Sequence, residues 1–196
     1  MDGVLIDARE WHYESLNKAL NLFGFNISRY DHLVTFDGLP TKKKLEMLSL
    51  EGGLPRGLHG YINDLKQQYT VDIIHSSCKP KFQHQFLLSK LKEEGIKLAV
   101  CSNSIRKTVE LMMEKSSLIH YFDLLMSNQD VVNGKPNPEI YLKAMSILGV
   151  AASECLIVED NQNGIKAAKS AGANVMCVTN PDEVNYTKIK QYINSI

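Results

Sequence analysis

Lys97-Leu98-Ala99-Val100-Cys101-Ser102-Asn103-Ser104 is a short apolar run that turns abruptly polar. The run is too brief for a buried helix, so it reads as a buried strand, and the residues after it can cap a helix through about Lys115. Working outward, Lys81–Glu94 places Phe82, Phe86, Leu87 and Leu91 at helical spacing and meets a stop at Gly95. Downstream, Phe122–Met126 repeats the strand pattern, and Pro138 opens a helix that runs to Leu148 and ends at Gly149. Cys155–Val158 is a third strand, Gly164–Ser170 belongs to a helix, and Asn174–Val178 is a fourth strand. Strands alternating with helices in this rhythm predict an α/β fold with a doubly wound parallel sheet.

The segment before Lys81 has a different texture. Glu10–Phe23, Thr41–Leu50 and Leu58–Ile74 carry helical patterns with no convincing strand between them. Gly24, Gly38-Leu39-Pro40 and Gly52-Gly53-Leu54-Pro55 punctuate it. The expected division is therefore an α/β core from residues 1–11 and 81–196, interrupted by a helical insertion over 12–80.

Composition narrows the function classes. Apolar residues make up 44% and charged residues 22%, and the 22 basic side chains balance 22 acidic ones. With no global field, neither nucleic acid nor a membrane surface is an expected partner, while a small anion in a local site is compatible. Cys78, Cys101, Cys155 and Cys177 have no metal-ligand spacing. Three of them (Cys101, Cys155 and Cys177) lie in apolar runs and read as small buried hydrophobes. Reduced thiols and the lack of a membrane-spanning or leader-like run point to a soluble, cytoplasmic protein.

In parallel α/β sheets ligands bind beyond the carboxyl ends of the strands. The residues found there are Asp2-Gly3, Ser102-Asn103, Ser127-Asn128 leading to Lys135, and Glu159-Asp160. Asp2, Glu159 and Asp160 would converge on one edge, where carboxylates repel unless a cation neutralises them. Such an oxygen-rich site favours Mg²⁺. Lys135 and the Ser102 hydroxyl suit phosphoryl oxygens, one by charge and one by hydrogen bond. Each residue also has a plainer role available: Ser102 as a helix cap, Lys135 as a loop lysine, Glu159-Asp160 as acids favouring a helix start. Lys42-Lys43-Lys44 reads as a solvated helix face. Their joint occurrence after successive strands outweighs the plain roles.

Four motifs in order resemble the haloacid dehalogenase superfamily. Met1-Asp2-Gly3-Val4-Leu5-Ile6-Asp7 is similar to the end of its first motif, Asp-x-Asp-Gly-x-x-x-Asp. Leu98–Ser104 matches the second, Gly134-Lys135-Pro136-Asn137-Pro138-Glu139 the third, and Leu156–Ala168 the fourth. The branch resembled is that of phosphatases and β-phosphoglucomutases with a helical cap after the first motif. The resemblance implies Asp2 as general acid/base, with a carbonyl able to bind Mg²⁺. It implies Ser102 and the Asn103 backbone on the phosphoryl group, and Lys135 balancing charge there. Glu159 and Asp160 would hold the metal, and His12 would support Asp2.

The family's nucleophile is the first Asp of the first motif, a position one residue before Met1. Without it, the chain as it stands is expected to form no phosphoryl-aspartate. A start set too late and a real loss both account for this. In the cap, mutases carry Gly-x-Ser-Arg ahead of a leucine, whereas this loop is Gly38-Leu39-Pro40-Thr41-Lys42-Lys43-Lys44-Leu45. Thr41 falls on the Arg position, and Lys42 would supply charge without the two-pronged geometry. The expectation is hydrolysis of a small phosphate monoester, a small phosphorylated metabolite such as a sugar phosphate, through an aspartyl-phosphate in the complete protein, with Mg²⁺ as cofactor. A phosphosugar mutase and a catalytically silent phosphate and Mg²⁺ binder are the alternatives.

Overall fold

Apolar runs after residue 97 form strands, and all of them pair in parallel, in a computed structural model that describes residues 1–36 and 38–195. Asp37 and Ile196, inside the ranges expected for cap and core, lie outside the described residues. The chain divides into two compact units, Met1–Asp7 with Cys78–Ile196, and Ala8–Ser77.

The first unit is the α/β core. Its elements in order are α5 (Phe82–Glu93), β1 (Ala99–Cys101), α6 (Arg106–Lys115), β2 (Leu124–Met126), α7 (Glu139–Leu148), β3 (Leu156–Glu159), α8 (Gln162–Ser170), β4 (Asn174–Cys177) and α9 (Tyr186–Ile193). Strand β1 pairs with β2 through Ala99↔Leu124 to Cys101↔Met126, and β3 pairs with β4 through Leu156↔Asn174 to Glu159↔Cys177. The four expected strands are all present, but among the described residues they form two separate two-stranded sheets rather than one. Each pair is joined through a helix, as parallel pairing requires. A helix-facing core of Met126, Ile140, Tyr141, Ala144, Met145, Ala167, Ala168 and Ala171 packs α7 and α8 on the sheets.

Helix α7 follows the sequence closely, starting just after Pro138 and ending on Gly149 at φ 63°, where a side chain would be strained. Helix α6 does not. It begins at Arg106 with Ile105 at its N-cap and no side-chain cap, because the Ser102 hydroxyl instead accepts from the Ser104 amide at 3.1 Å, closing a local turn. Residues 1–7 form a tight turn rather than a strand, with Gly3 N–H on the Ile6 carbonyl at 2.7 Å and a single bridge between Asp2 and Ile6.

The second unit is helical throughout its described residues: α1 (Arg9–Asn21), α2 (Arg29–Val34), α3 (Thr41–Gly52) and α4 (His59–Ser77), with a short 3₁₀ turn at Arg56–Leu58. Leu16, Leu20, Ile27, Phe36, Leu45, Leu54 and Ile62 make its core. Asn17 clamps the turn after α1, donating to the Ile27 carbonyl at 2.9 Å and accepting from its amide at 2.7 Å. The run Lys42-Lys43-Lys44 is solvated only in part: Lys42 and Lys43 are exposed, but Lys44 is buried beside Leu45, since the 3.6-residue period of a helix turns part of each turn inward.

The thiols are free, as expected, but distributed differently. Cys78 is buried, Cys101 and Cys155 are half-buried, and Cys177 is exposed because it ends β4 at the sheet margin. No described helix is long and apolar enough to cross a membrane.

Candidate active site

The carboxyl ends of β1 and β3 bring six of the nine candidates together. Ser102 follows β1 directly, is buried, and extends the ladder by donating its amide to the Met126 carbonyl at 3.0 Å. Asn103 and Lys135 then lock two loops: the Lys135 amide donates to Asn103 Oδ1 at 3.0 Å, and Asn103 Nδ2 donates to the Lys135 carbonyl at 3.2 Å. Gly134 gives this clamp its room, since a Cβ there would stand 3.0 Å from Asn103 Oδ1. The Lys135–Pro136 peptide is cis.

From this clamp the Lys135 side chain reaches inward and is only 8% exposed. Its ammonium donates to the Cys101 carbonyl at 2.9 Å, pairs with Glu159 Oε1, and lies 4.7 Å from the centre of the Tyr141 ring. The Tyr141 hydroxyl donates to the same Glu159 oxygen. Burial works to raise the Glu159 carboxyl, but the Lys135 charge and the two hydrogen bonds win and hold it below the usual carboxylate range. Burial and the adjoining Glu159 charge push the Tyr141 phenol well above its ordinary value, so it stays a donor. The Cys101 thiol is pushed up to about 11 by burial, more than the Lys135 charge lowers it, which leaves it an inert wall residue.

The remaining acids meet at the N-terminal turn. Asp2 Oδ2 accepts from the Ser104 hydroxyl at 3.2 Å. Asp160 lies against Gly3, where a Cβ would stand 1.9 Å from Asp160 Oδ2, and φ at Gly3 is 68°. Only glycine lets that carboxylate sit on the turn beside Asp2. Thus Ser102, Asn103, Lys135 and Glu159 form one interlocked group, and Asp2 and Asp160 adjoin it through Ser104 and the end of β3.

His12, Thr41 and Lys42 belong to the helical unit. There the Lys66 Nζ and His12 Nδ1 lie 3.4 Å apart, Thr41 opens α3 half-buried, and Lys42 is exposed. Two core residues were invisible in the sequence. Tyr141 sits in the apolar pattern of α7, where its hydroxyl has no signature, and Ser104 reads as a cap although its hydroxyl serves Asp2.

A parallel α/β core with a buried lysine, a hydroxyl and paired acids at the strand ends has the groups that a phosphoryl-transfer class of site would need. The model of the haloacid dehalogenase-like hydrolases matches residues 1–178, and the chain belongs to that family. YhcW of Bacillus subtilis (strain 168), whose name assigns it phosphatase activity only provisionally, is 40% identical over 95% of this chain and 83% of its own length. The phosphorylated carbohydrates phosphatase of Thermotoga maritima is 27% identical over 88% of this chain and 79% of its own. In fold, the β-phosphoglucomutase of Clostridium difficile superposes with a TM-score of 0.84 at 21% identity, covering 99% of this chain and 94% of that one. The fold is a Rossmann-like α/β core with a helical cap, and the family assignment makes the protein a hydrolase of that type.

Proposed function

We propose that the site hydrolyses small phosphate monoesters, sugar phosphates among them, with Mg²⁺ as cofactor. The observation that carries this is Lys135, a buried ammonium fixed by Glu159, Tyr141 and the Cys101 carbonyl at the strand ends that also bear Ser102. A fixed positive charge beside a buried hydroxyl and backbone amides suits the equatorial oxygens of a transferring phosphoryl group, with little reorganisation as charge develops. The relative named for phosphorylated carbohydrates supports the substrate class.

The acids divide their labour. Glu159 is committed to Lys135 and Tyr141, so it acts as the positioning residue for the lysine rather than as a metal ligand. Mg²⁺ would be held by the Asp160 carboxylate, which lies against Gly3, and by the backbone carbonyl of Asp2. Two hard oxygens suit a cation that usually takes one or two carboxylates and fills its shell with water and substrate phosphate. Bound there, Mg²⁺ would offset charge on the phosphoryl oxygens. Asp2, whose carboxylate accepts from the Ser104 hydroxyl, would move a proton at the leaving or attacking oxygen. Thr41 in place of arginine favours hydrolysis over mutase chemistry.

Phosphate release from p-nitrophenyl phosphate and a sugar phosphate panel, with and without Mg²⁺, tests the proposal. Ser102→Ala and Lys135→Met should each lower kcat/KM by about 10²–10³-fold. Metal-independent turnover, or variants as fast as the parent, would overturn it.

A further inference from the structure

The sequence holds two Asn-Gly steps, Asn133-Gly134 and Asn163-Gly164, in opposite surroundings. Asn133 is exposed, in irregular backbone between the 3₁₀ turn at Asn128–Asp130 and α7, two residues before Lys135. Among the described residues the Gly134 amide donates to no acceptor. One carboxylate holds Asn133: Glu139 Oε2 accepts from its amide at 2.9 Å and from its Nδ2 at 3.3 Å, while Oε1 accepts from the Val132 amide at 2.8 Å. The Val132 and Asn133 amides keep the Glu139 carboxyl below the usual glutamate range, so the clasp is an ionised one. Its bond to Nδ2 is long and exposed, which makes it a weak restraint on the Asn133 side chain. Asn163, by contrast, lies in the first turn of α8, and Gly164 is buried against Glu159. Gly134 has a reason to stay glycine, because a Cβ there would press on Asn103 Oδ1 in the clamp that receives the Lys135 amide. The close packing of the lysine loop therefore keeps a reactive dipeptide at its entrance.

We infer that Asn133 is a self-modification site, at which the Gly134 amide closes a ring on the asparagine side chain and water reopens it, loosening the loop that carries Lys135. The Gly134 nitrogen bonds to Asn133 Cγ and gives its proton to solvent. The Cγ–Nδ2 bond breaks, and the nitrogen leaves as ammonia. Glycine allows this approach because no Cβ shields its nitrogen. Water then adds to one of the two ring carbonyls. Addition at Cγ restores the main chain and leaves an aspartate; addition at the main-chain carbonyl leaves an isoaspartate, whose backbone runs through Cγ and is one methylene longer. Both products put a new carboxylate beside the ionised Glu139, where like charges repel and no Nδ2 donor remains. The isoaspartate also displaces Gly134, which has no slack against Asn103. At Asn163 the same closure is blocked, since ring formation turns ψ far from the helical value that α8 holds.

The full chain, kept folded at mildly alkaline pH in water labelled with heavy oxygen, tests this by peptide mass spectrometry and isoaspartate detection. Label should enter residue 133 as a mixture of aspartate and isoaspartate. It should enter about tenfold or more faster than at residue 163, which reacts only when α8 opens. Asn133→Gln, which cannot close the five-membered ring, should take up no label there over the same period. Amide hydrogen exchange then reads the consequence. The Lys135 amide should exchange about tenfold or more faster in the modified chain than in the fresh one, and be unchanged in Asn133→Gln treated alike. No label at residue 133, or equal rates at the two steps, would overturn the inference. So would aspartate with no isoaspartate, which means direct hydrolysis without a ring. A Lys135 amide indifferent to the modification, or loosened equally in treated Asn133→Gln, would overturn the link to the lysine loop. No readout uses turnover, so the inference stands or falls apart from the phosphatase proposal.

Discussion

Glu159 has almost no freedom. Its carboxyl is held by Lys135 and Tyr141 on one side, and on the other a Cβ at Gly164 would stand 2.2 Å from its Cδ. Gly164→Ala should therefore destabilise the core by about 1–3 kcal/mol, measured by urea unfolding, because the clash is with a side chain that cannot swing away. Lys135→Ala should cost more, about 3–5 kcal/mol at pH 7, since it leaves a buried carboxylate without its cation. The sign with pH follows from the lowered Glu159 value. Its pairing stabilises fully above the unfolded carboxylate value of about 4.3 and is lost as pH falls through the lower folded one. The gap between parent and Lys135→Ala should thus shrink when unfolding is repeated near pH 3.5, roughly one unit below that unfolded value. At this scale the sequence was informative where a polar residue closes an apolar strand, as Ser102 does after β1 and Glu159-Asp160 after Leu156–Val158. It was silent on Glu159's true partners, because a phenol one turn into α7 and a lysine two loops away become neighbours only in three dimensions.

The join between the end of β2 and the start of α6 is built from a capping box and an ion pair. Asp130 accepts from the Ser127 amide at 2.8 Å and its hydroxyl at 2.7 Å, and pairs with Arg106 at the start of α6. Partial burial works to raise the Asp130 carboxyl, but the Ser127 bonds and Arg106 outweigh it and hold the group below the usual aspartate range. Its stabilisation is complete above about pH 4, the unfolded value, and falls away as pH drops through the folded one. Asp130→Asn should cost about 1–2 kcal/mol at pH 7 and flatten the acid side of the stability profile, read from melts between pH 7 and 3. Elements with long apolar patterns, such as α5, α7 and the four strands, were legible to within a few residues. Helix α2 was not, because its six residues are mostly exposed and carry no periodic face. Helix α9 lies beyond the last expected strand, and its start is set by the Asn185 side chain accepting from the Lys188 amide. Four strands in one rhythm suggest one sheet, whereas among the described residues they pair two by two, and no pattern in their residues tells which edges meet.

The two units differ in how the chain builds them. Ala8–Ser77 is contiguous, while the α/β core is assembled from Met1–Asp7 and Cys78–Ile196. The excised segment Ala8–Ser77 should fold alone as a helical species with a cooperative melt by circular dichroism, its core of Leu16, Leu20, Leu45 and Ile62 being wholly internal. Residues 78–196 alone should melt lower than the full chain, since they lack the turn on which Asp160 rests. A featureless melt of the first fragment, or an unchanged one of the second, would show that the division is not one of stability.

The same discontinuity orders events during synthesis. The turn around Gly3 leaves the ribosome well before the carboxylate that rests on it, Asp160, is made. The helical unit between them can condense early and so shorten the effective loop that must close, which reduces the entropy lost when the two ends of the core finally meet. The glycine is thus a landing place kept open through most of translation, and its last partner arrives only with the fourth motif.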